Sequence, residues 1–283
     1  MDWLDALILG IVQGLTEYLP VSSSGHLEIF KEILGVDLPV DENLTFSVLV
    51  HAATVLSTIV VLWPMFARLC KNFFTFTRGY DFDYVCKILL SCIPVGIVGV
   101  FFKHQIEEIF GSGLTIVGVC LLVTASLLTF AWLSDLRGRT KTQIAEGASP
   151  MIPASAGRDI SWVDAFVIGC AQAVAVLPGL SRSGTTIATG ILIGDKRNEV
   201  AQFSFLMVIL PIIGESLLDI KDMMSGESIS AETGAFPLII GFVAAFIVGC
   251  GACKWMINLV KKGKLIWFAV YCVLMGVICL LWQ

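Results

Sequence analysis

Gln13-Gly14-Leu15-Thr16-Glu17-Tyr18-Leu19-Pro20-Val21-Ser22-Ser23-Ser24-Gly25-His26 is a polar interruption at the end of an apolar arm that runs from 3 to 19. Proline, serine and glycine in succession stop one helix and open another. The arrangement returns later in the chain. Trp3-Leu4-Asp5-Ala6, Gly10 and Gln13 recur at a constant offset as Trp162-Val163-Asp164-Ala165, Gly169 and Gln172. Pro20 pairs with Pro178 after a slip of one residue, Ser24-Gly25 pairs with Ser183-Gly184, and further on Phe46-Ser47 pairs with Phe203-Ser204. The second break reads Pro178-Gly179-Leu180-Ser181-Arg182-Ser183-Gly184-Thr185-Thr186. Each half thus has one layout: an apolar arm, a break, a shorter second arm, then full-length apolar segments.

The solvent for this layout is a bilayer. Of 283 residues, 57% are hydrophobic and 14% charged, against about 25% charged in a soluble domain, and the mean hydropathy is +0.87. Crossing about 30 Å of hydrocarbon takes about 20 apolar residues, and spans are expected near 44–66, 84–103, 113–133, 199–218, 236–258 and 265–282. The expected fold is an all-α polytopic membrane protein, a single integral domain over 1–283. Its internal repeats cover about 1–135 and 160–283, with two re-entrant helical hairpins and about six transmembrane helices. A net charge of −5 from 18 Lys+Arg and 23 Asp+Glu leaves no basic face for nucleic acid. Met1 to Asp5 holds two acids and no base, unlike a signal peptide, so the first apolar stretch is expected to be retained. The nine cysteines mostly stand singly in apolar segments and read as small core residues.

Positive charge orients the spans. With each broken segment folded back to its own side, Arg68, Lys71, Arg78, Lys87, Arg137, Arg139, Lys141, Arg158, Lys196, Arg197, Lys261, Lys262 and Lys264 share one face, and Lys31, Lys103 and Lys221 the other. Full crossings by the first arms would move Lys196, Arg197 and the Lys261 to Lys264 cluster outside. The re-entrant arrangement is therefore expected, with inverted halves, both termini outside, and the two broken tips meeting within the membrane.

Irregular backbone at that depth is tolerated only against protein or a polar cavity. The tips carry an acid, an imidazole, a guanidinium and several hydroxyls, which are costly in hydrocarbon and hence functional candidates. Gln13 and Glu17, four apart, lie on one helix face. Breaks that open into helices offer N–H groups and a favourable dipole to an anion, and Arg182 adds a planar fork suited to phosphate oxygens. The ligand read from these residues is the anionic head group of a lipid.

These two segments carry a resemblance. Gln13, Glu17 and Pro20 through His26, with Pro178 through Thr186, are similar to the two signatures of the bacterial undecaprenyl-diphosphate phosphatases, also called the bacitracin-resistance protein family. Length, repeat spacing and span count agree. Many relatives carry Glu at the place of Gln13, and glutamine offers a carbonyl oxygen but no base, which shifts weight onto Glu17.

The resemblance implies hydrolysis of undecaprenyl diphosphate to the monophosphate and inorganic phosphate in the bacterial inner (plasma) membrane. That recycles the lipid carrier for peptidoglycan and cell-wall polymers and confers bacitracin resistance. It also implies a divalent cation, Mg²⁺ or Ca²⁺, for which Glu17 and Gln13 are the expected ligands, and a site open to the outer face. Arg182 is the expected stabiliser of the transferred phosphoryl group. Ser22, Ser24, Gly25, Ser181, Ser183, Gly184 and Thr186 are expected to bind the substrate phosphates. For the attacking group two readings stay open: Ser23 with His26, three residues on, as its base, or a water activated by His26 or Glu17. A polyprenyl-phosphate flippase is the alternative function, since inverted repeats with broken helices are common in transporters. Monomer or homodimer is left open.

Blander readings apply elsewhere. His51 and His104 are expected to be structural, and Glu215 wetted at the outer interface. Asp5 and Asp164 are expected to start helices, and Trp3 and Trp162 to sit in the interfacial aromatic belt. A direct Arg182–Glu17 pair would make those two residues a clamp of the fold.

Overall fold

In the computed structural model, residues 1–102, 105–106, 113–146, 157–225 and 234–282 are described, and among them every extended element is helical. The helices are α1 (Trp3–Thr16), α2 (Ser23–Leu34), α3 (Val40–Val61), α4 (Trp63–Phe74), α5 (Tyr80–Phe101), α6 (Leu114–Glu146), α7 (Trp162–Val174), α8 (Arg182–Ile193), α9 (Arg197–Met207), α10 (Ile209–Ser225), α11 (Ala235–Lys261) and α12 (Ile266–Leu281). His104 and Lys103 lie outside the described residues.

Capping sets where the two arms begin. Asp2 accepts from the N–H groups of Leu4 and Asp5 at 2.8 Å each, and Asp5 reaches back to the Asp2 N–H at 3.1 Å. Ser161 and Asp164 repeat this reciprocal cap at the head of α7, satisfying N–H groups that a helix start leaves open. Asp5 and Asp164 thus start helices as expected. Both second arms end alike, on a left-handed glycine: Gly35 after α2 and Gly194 after α8.

Among the described residues, five helical stretches are long and apolar enough to cross a membrane: Glu42–Val61, Tyr80–Phe101, Leu114–Ser134, Arg197–Leu218 and Ala235–Lys261. The sixth expected span is shorter. α12 has 16 residues, about 24 Å at 1.5 Å per residue. The expected 44–66 span stops at Val61, because Pro64 in the first turn of α4 restarts the helix at Trp63. The 199–218 span is two helices meeting at Val208. Pro211 has no N–H for the Met207 carbonyl, and the Cys92 thiol donates to that oxygen instead at 3.5 Å.

Close packing of the arms rests on small residues. A Cβ on Gly10 would lie 2.4 Å from the Gly241 carbonyl oxygen, so α1 and α11 touch backbone to backbone there. Gly169, in register with Gly10, meets the Ser91 carbonyl oxygen of α5 at the same 2.4 Å. Without water between them, apolar helices in a bilayer associate by van der Waals fit and close approach. The main core gathers Phe203, Phe205, Met207, Leu121, Leu128, Ile168 and Ile187 around the second arm pair.

The chain is led into α7 by a short pairing outside the spans. The Arg158 N–H donates to the Gly194 carbonyl at 3.1 Å and the Lys196 N–H to the Arg158 carbonyl at 3.0 Å. Arg158 bonds Asp164 at 2.7 Å, and its Nε stands 3.8 Å from Asp195. Neither carboxylate oxygen of buried Asp195 is hydrogen-bonded. Burial first, then the Asp164 carboxylate beside it, push the Asp195 carboxyl up from 3.8 to about 7, against the pull of Arg158.

Two outcomes test this packing. Gly10→Val is expected to cost on the order of 3 kcal/mol through overpacking, read as a lower thermal midpoint in detergent. Because the folded state holds a proton on Asp195 that the unfolded state releases near 3.8, the neutral form's contribution is whole below that pH. It is lost as pH rises toward and through about 7. Asp195→Asn is expected to flatten the fall in melting temperature between those two values; an unchanged pH profile counts against the assignment.

Candidate active site

The two breaks meet. Ser183 Oγ donates to the Leu19 carbonyl at 3.2 Å, Gly25 packs against Gly179, and Gly184 against Pro20. Gly179 has φ +84, and a Cβ there would lie 2.7 Å from the Val117 backbone of α6, so only glycine fits. The breaks are also tied to the surrounding helices. The Ser181 N–H donates to Thr124 Oγ1 at 3.1 Å, and the Cys272 thiol donates to the Pro20 carbonyl at 3.5 Å. Tyr18 carries its hydroxyl into α3, donating to the Thr54 carbonyl at 2.6 Å beside Ser57 and Thr58.

Glu17 is the centre of the first tip. Its Oε2 accepts from Gln13 Nε2 at 3.0 Å and from Ser23 Oγ at 2.6 Å, with His51 Nε2 3.9 Å away. The imidazole of His51 is oriented by its Nδ1–H, which donates to the Ser47 carbonyl at 2.8 Å. His51 therefore stands at the carboxylate, where sequence reading expected a purely structural residue. Gln13 is fully buried, and its Oε1 has no hydrogen-bond partner.

Ser23 and His26 are not brought together as a hydroxyl and its base. His26 Nδ1 lies 2.8 Å from the Ser22 carbonyl, which can only accept, so Nδ1 carries the proton. In the neutral ring Nε2 then accepts, and its partner is the Tyr271 hydroxyl of α12 at 2.7 Å. The two rings stack with centroids 5.6 Å apart. The group that takes the Ser23 hydroxyl is the Glu17 carboxylate. Spacing along a helix suggested His26, but the i+3 position turns the ring toward α12.

Several expected phosphate-binding hydroxyls are already occupied. Ser22 Oγ accepts from the Gly25 N–H at 3.3 Å and Ser181 Oγ from the Gly184 N–H at 3.0 Å, as N-caps of α2 and α8. Ser22 holds φ 72, ψ 103, a strained conformation for a residue with a side chain, of the kind found at functional sites. Ser24 lies 3.3 Å from Ser22 Oγ, and Thr186 donates back to the Arg182 carbonyl at 3.0 Å. Both helix starts lie where the two breaks pack together, and a helix start favours an anion.

Arg182, Ser183 and Thr186 line one cavity together with Glu17, Tyr18, Gln172 and Ser204. Acid and guanidinium thus face the same space. Arg182 is not clamped by Glu17; its ion contact is with Glu215 of α10, at 3.7 Å. Glu215 is 59% exposed, as an interfacial residue would be, yet it also reaches the site. Gln172 is fully buried and neither end of its amide has a hydrogen-bond partner; Ser204 Oγ is likewise unpartnered. Gln172 was visible in the sequence as the counterpart of Gln13, and Ser204 as the counterpart of Ser47. Nothing there signalled Tyr271.

Comparison with known proteins follows the same lines. A family model described as bacitracin resistance protein BacA matches residues 6–278. An undecaprenyl-diphosphatase of Bacteroides thetaiotaomicron is 54% identical over 283 residues, covering all of both chains. One of Bacteroides fragilis is 54% identical over 278 residues, covering 98% of this chain and 97% of its own. An undecaprenyl-diphosphatase of Oceanobacillus iheyensis is 37% identical, covering 97% and 94% respectively.

A buried amide with no partner is an expense that an apolar replacement of similar shape removes. Gln172→Leu is therefore expected to leave the melting temperature unchanged or raised while lowering phosphate release at least tenfold, a loss typical of one missing polar contact to an anionic substrate. A melting temperature that falls together with activity counts against a ligand-facing role.

Proposed function

We propose the function of this chain from its family: the chain belongs to the bacitracin resistance protein BacA family. It is a multi-pass membrane enzyme that hydrolyses undecaprenyl diphosphate to undecaprenyl phosphate and inorganic phosphate. The carrier lipid returns to peptidoglycan and cell-wall polymer synthesis, and bacitracin resistance follows from the same activity. The observation that carries the reading is a single cavity in which Glu17, bonded to the Ser23 hydroxyl, faces Arg182.

The roles of these residues are our assignment. Phosphoryl transfer asks mainly for positioning and for positive charge against the equatorial oxygens, and Arg182 supplies that charge from the second tip. Ser23 Oγ attacks the terminal phosphorus as Glu17 takes its proton. The Oγ–P bond forms, the bond to the bridging oxygen breaks, and undecaprenyl phosphate departs. Water then attacks the phosphoserine, freeing phosphate and restoring Ser23. A water attacking directly, with Glu17 as base, uses the same acceptor and remains the second form of the mechanism. His26, held by Ser22 and Tyr271, orients the first turn of α2. The amide N–H groups of Ser23, Ser24, Arg182 and Ser183, with Ser183 and Thr186 on the cavity wall, receive the phosphate oxygens.

A divalent cation, Mg²⁺ or Ca²⁺, fits this donor set. The unpartnered, buried Gln13 Oε1 beside the Glu17 carboxylate offers two hard oxygen donors. Among the described residues no three acidic, histidine or cysteine side chains cluster as a metal site; Gln13 and Glu17 would hold the cation together with oxygens of the substrate. When bound, the cation neutralises charge on the diphosphate.

We further propose that α1–α2 and α7–α8 are re-entrant hairpins of two inverted halves, that both termini lie outside, and that the cavity opens to the outer face. The excess of Lys and Arg on one face supports this orientation. A cysteine introduced at Lys262 is expected to resist an impermeant thiol reagent applied to intact cells.

The deciding experiment is phosphate release from undecaprenyl diphosphate by purified protein, with and without Mg²⁺ or Ca²⁺. Glu17→Gln is expected to lose about 10²–10⁴-fold, as for a base, and Arg182→Ala about 10²–10³-fold, as for a transition-state donor. Ser23→Ala separates catalysis from transport. If it abolishes hydrolysis and spares lipid binding, the phosphatase stands; a folded protein that binds and flips the lipid without releasing phosphate is a flippase.

A further inference from the structure

Beside the polar cavity lies a second opening of about 290 Å³, walled by Val55, Leu56 and Ile59 of α3 and by Ile212, Ile213 and Leu217 of α10. No titratable side chain lines it. Val55 and Ile212 line both spaces, so the two share a wall. Those two are buried, whereas Leu56, Ile213 and Leu217 at the rim are exposed. Both walls belong to stretches long and apolar enough to cross a membrane, Glu42–Val61 and Arg197–Leu218, a placement that would set the rim against acyl chains.

α10 ties the two spaces together. Glu215, on this helix, stands 3.7 Å from Arg182, while Ile213 and Leu217, two residues to either side, belong to the groove. On α3 the spacing of Val55, Leu56 and Ile59 makes one stripe along the axis. One helix, α10, therefore carries both the ionic contact to Arg182 and one wall of the apolar groove.

We propose that this groove seats the first isoprene units of the substrate's polyprenyl chain and leads the remainder into the bilayer between α3 and α10. The inference rests on the reading above that the diphosphate occupies the Glu17–Arg182 cavity. Such a seat gains little from leaving the lipid, which is as apolar as the groove. What it supplies is packing and direction: a branched chain held along α3 and α10 delivers its diphosphate to the cavity in one orientation, which is how binding energy remote from the reacting bond assists the reaction.

The test compares kcat/KM on undecaprenyl diphosphate with that on dimethylallyl diphosphate, which is too short to extend along the groove. Leu56→Trp and Ile213→Trp narrow the groove from its rim, and Val60→Trp adds the same bulk on an exposed position of α3 outside it. Rim variants are expected to lose about tenfold or more on the long substrate, the effect of a misdirected chain on the placement of the diphosphate, while keeping the short-substrate rate; Val60→Trp changes neither. Equal losses on both substrates, or no loss on the long one, overturn the proposal. A second readout needs no turnover: undecaprenyl phosphate bearing a diazirine in its second isoprene unit is photolysed with the protein. Labelling of peptides containing Leu56 or Ile213, competed by unlabelled undecaprenyl phosphate and not by excess phosphatidylethanolamine, supports the groove. Labelling elsewhere, or competition by the phospholipid, overturns it. If wild-type protein hydrolyses neither substrate, the phosphatase reading fails and the crosslink alone decides the groove.

Discussion

A backbone amide or carbonyl left open in hydrocarbon costs several kcal/mol, and the two breaks after α1 and α7 create a run of such groups. Each break is closed by the other and by helices around it. Ser183 reaches the Leu19 carbonyl, Thr124 receives the Ser181 N–H, and Cys272 covers the Pro20 carbonyl. Ser22 and Ser181 cap the helices that follow. Neither break is independent of its partner, and the cavity between them exists because their groups are satisfied sideways and not across it. The same rule governs Met207, whose carbonyl is freed by Pro211 and taken by Cys92.

Repetition sets up a site whose halves are chemically unequal. Gln13 and Gln172 share a register and complete burial, yet Gln13 is bonded to Glu17 while Gln172 has no partner. The first half contributes the carboxylate and the serine it accepts from; the second contributes the guanidinium. Glu17 has donors on its inner side, and Arg182 is held only loosely, through Glu215 at 3.7 Å.

Hydrogen bonds to surrounding helices hold the first tip in place. Tyr18 anchors the first tip to α3 through its hydroxyl. Tyr271, 245 residues from His26 in sequence, fixes an imidazole whose other nitrogen is tied to its own turn. Such bonds cost ordering entropy and return precision, and in phosphoryl transfer precision is much of what a protein can supply.

Hydropathy, the Pro/Ser/Gly breaks and the recurring register are local properties of the chain. They determined the membrane, the arms, the places where helices begin and end, and the two polar segments that meet in the fold. Glu17, Ser23 and Arg182 were legible as candidates for the same reason: charge and hydroxyls stand out against an apolar background. The partners of those residues depend on how distant helices are set against each other, and no periodicity reports that. Only the tertiary structure turned the Ser23 hydroxyl to Glu17 and His26 to Tyr271, brought His51 and Glu215 to the site, and divided the spans at Leu62 and Val208. Hydrogen bonds are short and directional, so a helix register or tilt that leaves the hydrophobic pattern untouched is enough to exchange one partner for another.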